Sequence, residues 1–138
     1  MDASKPNILI VDDASNWRIT LETLLNSYGF RATVAANVIE ASAALTQGPF
    51  AAAILDVRLD AFDETNHEGV SMILTAVYKM YPKIGFIILS SYYSEADVKS
   101  FAPHDAELYY FEKNNLSIDK LLSTLRHLVS RNADEANL

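Results

Sequence analysis

A doubly wound α/β fold, with five parallel strands in the order 2-1-3-4-5 and helices on both faces, is predicted by three observations. Short apolar runs alternate with helical patterns along the whole 138-residue chain, as expected of strand–helix units joined by right-handed crossovers. The runs are continuous rather than alternating, as in strands buried on both faces of a parallel sheet. Two of them end in acid: Ile8-Leu9-Ile10-Val11 in Asp12 and Asp13, and Ala51 to Leu55 in Asp56. Ligands of such sheets gather at the carboxyl ends of the strands, at the switch point of the strand order. Bringing the three carboxylates together there requires the first and third strands to be neighbours, which the 2-1-3-4-5 order provides.

The elements follow in turn. After the strand Ile8 to Asp12, the positions Trp17, Leu21, Leu24, Leu25 and Tyr28 recur at helical spacing, and Gly29 is the stop signal. Phe30 to Ala36 reads as a strand interrupted by Arg31 and Thr33. Asn37 is an N-cap for a helix over Val38 to Gln47, ended by Gly48-Pro49. The third strand is Ala51 to Asp56. A polar segment from Arg58 to Glu68 leads into a helix marked by Val70, Ile73, Leu74, Val77 and Tyr81 and stopped by Pro82. Ile84 to Leu89 is the fourth strand. Ser94 to Ala102 is a short helix broken at Pro103, and Glu107 to Phe111 is the fifth strand. Ser117 caps a last helix with the stripe Ile118, Leu121, Leu122, Leu125, Leu128 and Val129. The expected domain spans 1–131, with 132–138 a frayed tail.

Composition narrows the function classes. Hydrophobic residues make up 50% and charged residues 21% of the chain, which suits one folded domain and argues against disorder. No apolar stretch is long enough to cross a bilayer and the start of the chain lacks signal-peptide character, so the expected location is the cytoplasm, without membrane insertion. With no cysteine, disulfides and thiolate metal sites drop out. A net charge of −7 disfavours direct nucleic-acid binding, which relies on an excess of Lys and Arg.

The chemistry concentrates at one edge of the predicted sheet. Three carboxylates meeting there would raise one another's pKa values unless a cation neutralised them. An all-oxygen set of this kind suits a hard ion, Mg2+ with several waters retained. Ser90 follows the fourth strand and Lys113 the fifth, so a hydroxyl and an ammonium join the acids around one point. An anion bridged to the protein by a divalent cation would be met there by Lys113, Ser90 and loop amides. Those are the parts that phosphoryl transfer needs, because its catalysis is mostly positioning and charge neutralisation.

With the runs ILIVDD, AAAILD, GFIILSS and LYYFEK in order, the chain resembles the receiver domain of bacterial two-component response regulators over residues 6 to 131. The resemblance implies a flavodoxin-like fold and a phosphorelay switch that takes a phosphoryl group from a sensor histidine kinase or phosphotransfer protein. It implies Asp56 as phosphoacceptor and Mg2+ held by Asp56, Asp13 directly, Asp12 through water and the backbone carbonyl of Arg58. Ser90 and Lys113 would contact the phosphoryl group, and Tyr110 would occupy the aromatic switch position. Arg58 and Tyr92 would flank the approach of water and set the lifetime of the phosphorylated state. Output would pass to an effector protein through the fourth helix, fifth strand and fifth helix, and a phosphorylation-dependent homodimer is an assembly the resemblance allows. No output domain follows Arg131, so a stand-alone receiver or one cut from a larger protein is expected.

The departures from the family pattern are specific. Asn114 stands where a proline usually follows the lysine, and Asp60 where a proline usually follows the acceptor. The connection from Asp56 to Gly69 is longer than the common pattern and carries Asp60, Asp63, Glu64, His67 and Glu68: a solvated loop, or an acidic rim that discriminates partners. His67, His104 and His127 have no spacing that suggests a metal site. Trp17 reads as packing on the first helix, placed to report metal binding optically. The alternative function is a pseudo-receiver that binds protein without phosphorylation, but such a module would be expected to have lost an acid or the lysine, and here all five positions are filled. A phosphatase of the haloacid dehalogenase type would want an acid at position 58, where Arg58 stands. Flavin binding would want a Ser/Thr/Gly-rich loop after the first strand, and none is there.

Overall fold

Each predicted apolar run forms a strand and each helical pattern a helix. The computed structural model describes residues 5–57, 67–91 and 94–136. In chain order it contains β1 (Asn7–Val11), α1 (Ser15–Ser27), β2 (Arg31–Ala35), α2 (Val38–Ala44), β3 (Ala52–Val57), α3 (His67–Met80), β4 (Gly85–Ser90), α4 (Glu95–Phe101), β5 (Glu107–Glu112) and α5 (Ile118–Ala136). Short 3-10 turns occupy Leu45–Gln47 and Lys113–Asn115. The strands pair in parallel in the expected order β2-β1-β3-β4-β5, which sets β1 beside β3 as the acidic strand ends require.

Side chains alternate across the sheet and divide the core in two. Leu9, Val11, Ala53, Leu55, Phe86 and Ile88 face one side, where α2, α3 and α4 contribute Ala41, Ala44, Leu74, Val77 and Val98. Ile8, Ile10, Ala52, Ile54, Ile87 and Leu89 face the other, against Leu21 and Leu25 of α1 and Leu121, Leu122, Leu125 and Leu128 of α5. Burial on both faces is why β1, β3 and β4 read as unbroken apolar runs. β2 lies at the sheet edge, which explains the polar Arg31 and Thr33 within it.

Local signals set most of the helix ends. The Asn37 side chain accepts the Glu40 amide at 2.9 Å, and Ser94 and Asp97 form a capping box at the start of α4. Ser117 Oγ accepts the Lys120 amide at 3.3 Å. Gly29, at φ +91°, turns the chain out of α1, a conformation that costs glycine little.

Four expectations need adjustment. The α-helical part of the second helix stops at Ala44, and the rest tightens into the 3-10 turn. Tyr28, expected on the apolar stripe of α1, is 51% exposed, because it is the C-cap residue and its backbone has left the helical period. Ile118 is also exposed: helical side chains lean toward the N-terminus, and the first residue has no preceding turn to lean on. The last helix continues past the boundary drawn at 131, to Ala136. No described helix is long and apolar enough to cross a membrane.

Candidate functional site

Register carries the acids to one place. Val11 of β1 lies opposite Leu55 of β3, so the next residues, Asp12 and Asp56, stand level on neighbouring strands. Leu89 pairs with Asp56, which puts Ser90 one step further along β4 and Lys113 just beyond the end of β5. Carboxylate oxygens of Asp12, Asp13 and Asp56 lie within 4.8 Å of one another. Among the described residues these three form the one cluster of metal-capable side chains.

Asp12 is held on several sides and is 2% exposed. Its amide donates to the Ala35 carbonyl at 3.0 Å, its Oδ1 accepts the Ala14 amide at 2.9 Å, and its carbonyl accepts Arg18 Nη1 at 2.8 Å. Lys113 Nζ donates to Asp12 Oδ2 at 2.8 Å and lies 3.1 Å from Asp56 Oδ1. The second contact is an ion pair, and among the described residues Asp56 Oδ1 is buried with no further hydrogen-bond partner. Burial, and next the charge of Asp12, push the Asp56 carboxyl up to about 7, against the opposing pull of Lys113. Three clustered carboxylates, one with an unsatisfied buried oxygen, fit a hard divalent cation: the donors are all oxygen, and a cation would relieve both the repulsion and the orphaned atom.

The remaining predicted residues are placed as follows. Ser90 is buried, 2% exposed, at the end of β4. Tyr110 is half-buried on the α4 side of the sheet, packed against the same core cluster as Tyr78, Ala102 and Leu108. Arg58 and Tyr92, together with the acidic stretch from Asp60 up to its last two residues, lie outside the described residues. His67 and Glu68 belong to the first turn of α3. Among the described residues the one cis peptide is Gly48–Pro49, so the bond after Lys113 is trans.

Two residues that touch this constellation were not assigned to it from the sequence. Arg18 fixes the Asp12 carbonyl, and the ring of Trp17 lies under the Lys113 ammonium, 4.8 Å from ring centroid to Nζ. The signal for both was available: they sit one helical turn after Asp13, on a helix that starts directly behind the acids.

No family model matches the chain. Among solved structures, it superposes on the response regulator receiver domain protein (CheY-like) from Methanospirillum hungatei with a TM-score of 0.78 and 22% identity, over 96% of this chain and 99% of that one. The chain has the fold of a response regulator receiver domain. A second receiver-fold structure, response regulator protein TrrA from Thermotoga maritima in complex with Mg(2+)-BeF, gives a TM-score of 0.69 at 25% identity, over 89% of this chain and 98% of that one. Among curated proteins, the chain is 35% identical over 86 residues to a putative NtrX-like response regulator of Rickettsia bellii, covering 62% of this chain. It is 35% identical over 89 residues to the corresponding protein of Rickettsia felis. The chain spans 17% and 18% of the lengths of these two relatives.

Proposed function

We propose that the chain is a phosphorylation-activated switch of two-component signalling, with Asp56 as the phosphoacceptor. The observation that carries this reading is the Asp56 carboxylate itself: one oxygen is buried, among the described residues met by nothing but a lysine ammonium 3.1 Å away, beside two further acids. Such an oxygen is a nucleophile held ready, with its neighbours arranged for charge rather than for packing. The carboxylate oxygen attacks the phosphorus of a phosphohistidine in line, the P–N bond breaks, and the imidazole of the donor leaves with the electron pair. Lys113 meets the charge on the transferring oxygens, and the Ser90 hydroxyl contacts the phosphoryl group once it is on Asp56. Asp13, Asp12, Asp56 and the backbone carbonyl of Arg58 would hold a divalent cation such as Mg2+, which would supply further charge neutralisation.

The donor is a sensor histidine kinase or a phosphotransfer protein, which brings the histidine this reaction needs. The acyl phosphate biases a two-state equilibrium through Ser90 and Tyr110, felt on α4, β5 and α5, where an effector protein docks. By the family resemblance, Arg58 and Tyr92 would flank the approach of water and govern how long the phosphoryl group stays. That TrrA, a protein of the same fold, is found in complex with Mg(2+)-BeF supports a divalent cation in this reading. The test is intact-mass measurement after incubation with acetyl phosphate and Mg2+. Wild type gains one phosphoryl mass and Asp56→Asn gains none; the same gain in the variant would move the site elsewhere.

A further inference from the structure

The Lys113 ammonium is held by more than its two carboxylates. Its side chain is 6% exposed, with Nζ 2.8 Å from Asp12 Oδ2, 3.1 Å from Asp56 Oδ1 and 4.8 Å from the centroid of the Trp17 ring. An ammonium carries three N–H donors on a flexible stem. Two carboxylates engage it, and the negative face of an indole, the strongest aromatic partner for a cation, covers a further side. Trp17 is itself anchored: it sits in the first turn of α1, half-buried against the cluster that includes Leu21, Leu25 and Leu121. Next to it, Arg18 fixes the backbone of Asp12. The start of α1 therefore grips both the acid and the lysine.

This grip matters because of where Lys113 lies. It opens the 3-10 turn Lys113–Asn115, followed by two exposed asparagines, Asn114 and Asn115, with no ring in the backbone to stiffen the turn. A long, entropy-rich side chain on such a turn needs an external restraint to keep its charge in one position.

We infer that Trp17 is a positioning residue for Lys113, whose indole face holds the ammonium at the Asp12 and Asp56 carboxylates. The inference rests on the phosphoacceptor reading only for its consequence in phosphoryl transfer; the contact itself is independent of it. A Trp17 that merely fills space would act on stability without regard to residue 113. A positioning Trp17 is coupled to Lys113, and its aromatic face, more than its bulk, carries the effect.

The experiment is a double-mutant cycle on the unfolding equilibrium, combining Trp17→Leu with Lys113→Met. The expected coupling is roughly tenfold in the unfolding equilibrium constant. A coupling below about twofold, within the additivity of unrelated sites, overturns the inference. Should Trp17→Leu not fold, Trp17→Met keeps more of the bulk and completes the same cycle. The second arm follows phosphorylation by acetyl phosphate with Mg2+. Trp17→Leu slows it roughly fivefold to tenfold, and Trp17→Phe, which keeps an aromatic face, recovers most of the rate. In a wild type that phosphorylates, an unchanged rate in Trp17→Leu, or equal slowing by Leu and Phe, overturns the positioning role. If wild type takes up no phosphoryl group, the phosphoacceptor reading fails by itself, and the cycle still decides whether Trp17 holds Lys113.

Discussion

Replacing Asp56 with asparagine should make the protein more stable, not less, in the absence of divalent cations. The Asp56 side chain is 3% exposed, lies beside Asp12, and has its carboxyl pushed from 3.8 up to about 7. Because the folded-state value lies above the unfolded one, the folded protein binds this proton more tightly. Stability therefore falls as pH rises from about 4 to about 7, and the full penalty is present above that range. At about 1.36 kcal/mol per pH unit the whole rise corresponds to about 4 kcal/mol. Rotation of the exposed Asp13 side chain and water reaching the cluster recover part of it, leaving roughly 2 kcal/mol at pH 8. Asparagine keeps the shape and removes the charge, and Lys113 keeps its 2.8 Å bond to Asp12, so no buried cation is stranded. Urea unfolding with a chelator present should show Asp56→Asn more stable by roughly 2 kcal/mol at pH 8, with less than half of that gain at pH 4. Millimolar Mg2+ should narrow the difference at pH 8 by stabilising wild type alone. A gain that does not change with pH, or a loss of stability in the variant, would refute the account of Asp56 as an ionised group held at a cost.

Three further outcomes are expected. Asp13→Asn should weaken Mg2+ binding about tenfold more than Asp12→Asn, because a direct ligand loses a charged bond and a water-mediated one adjusts; fluorescence of Trp17, the one tryptophan, reads the titration, and equal losses would contradict the division of roles. Arg58→Asn combined with Tyr92→Glu should shorten the lifetime of phosphorylated Asp56 by admitting and orienting water, followed as loss of the phosphoryl mass once the donor is removed; an unchanged or longer lifetime would mean that these positions do not control decay. Leu125→Ala, at a fully buried position of α5, should cost about 2–5 kcal/mol in urea unfolding without altering where phosphate is added.

The order of elements was legible because its signals are local. A strand buried on both faces must be apolar throughout, as Ile8 to Val11 and Gly85 to Leu89 are, and caps such as Asn37, Ser94 and Ser117 act within three residues of themselves. The meeting of Asp12, Asp13 and Asp56 was legible too, since each follows or ends a strand and only one neighbour relation brings them together. What the tertiary structure alone decided is how far each side chain reaches and what it finds there. Lys113 contacts Asp12 across 101 positions of sequence. The indole against its ammonium, the Arg18 bond to the Asp12 carbonyl and the orphaned oxygen of Asp56 likewise depend on how β1, β3, β5 and α1 are set against one another. Periodicity reports which side of an element is buried, but not which partner lies across from it. The exposure of Tyr28 and Ile118 has the same origin, because a stripe continues in the sequence beyond the point where the backbone, or the surface it packs on, has ended.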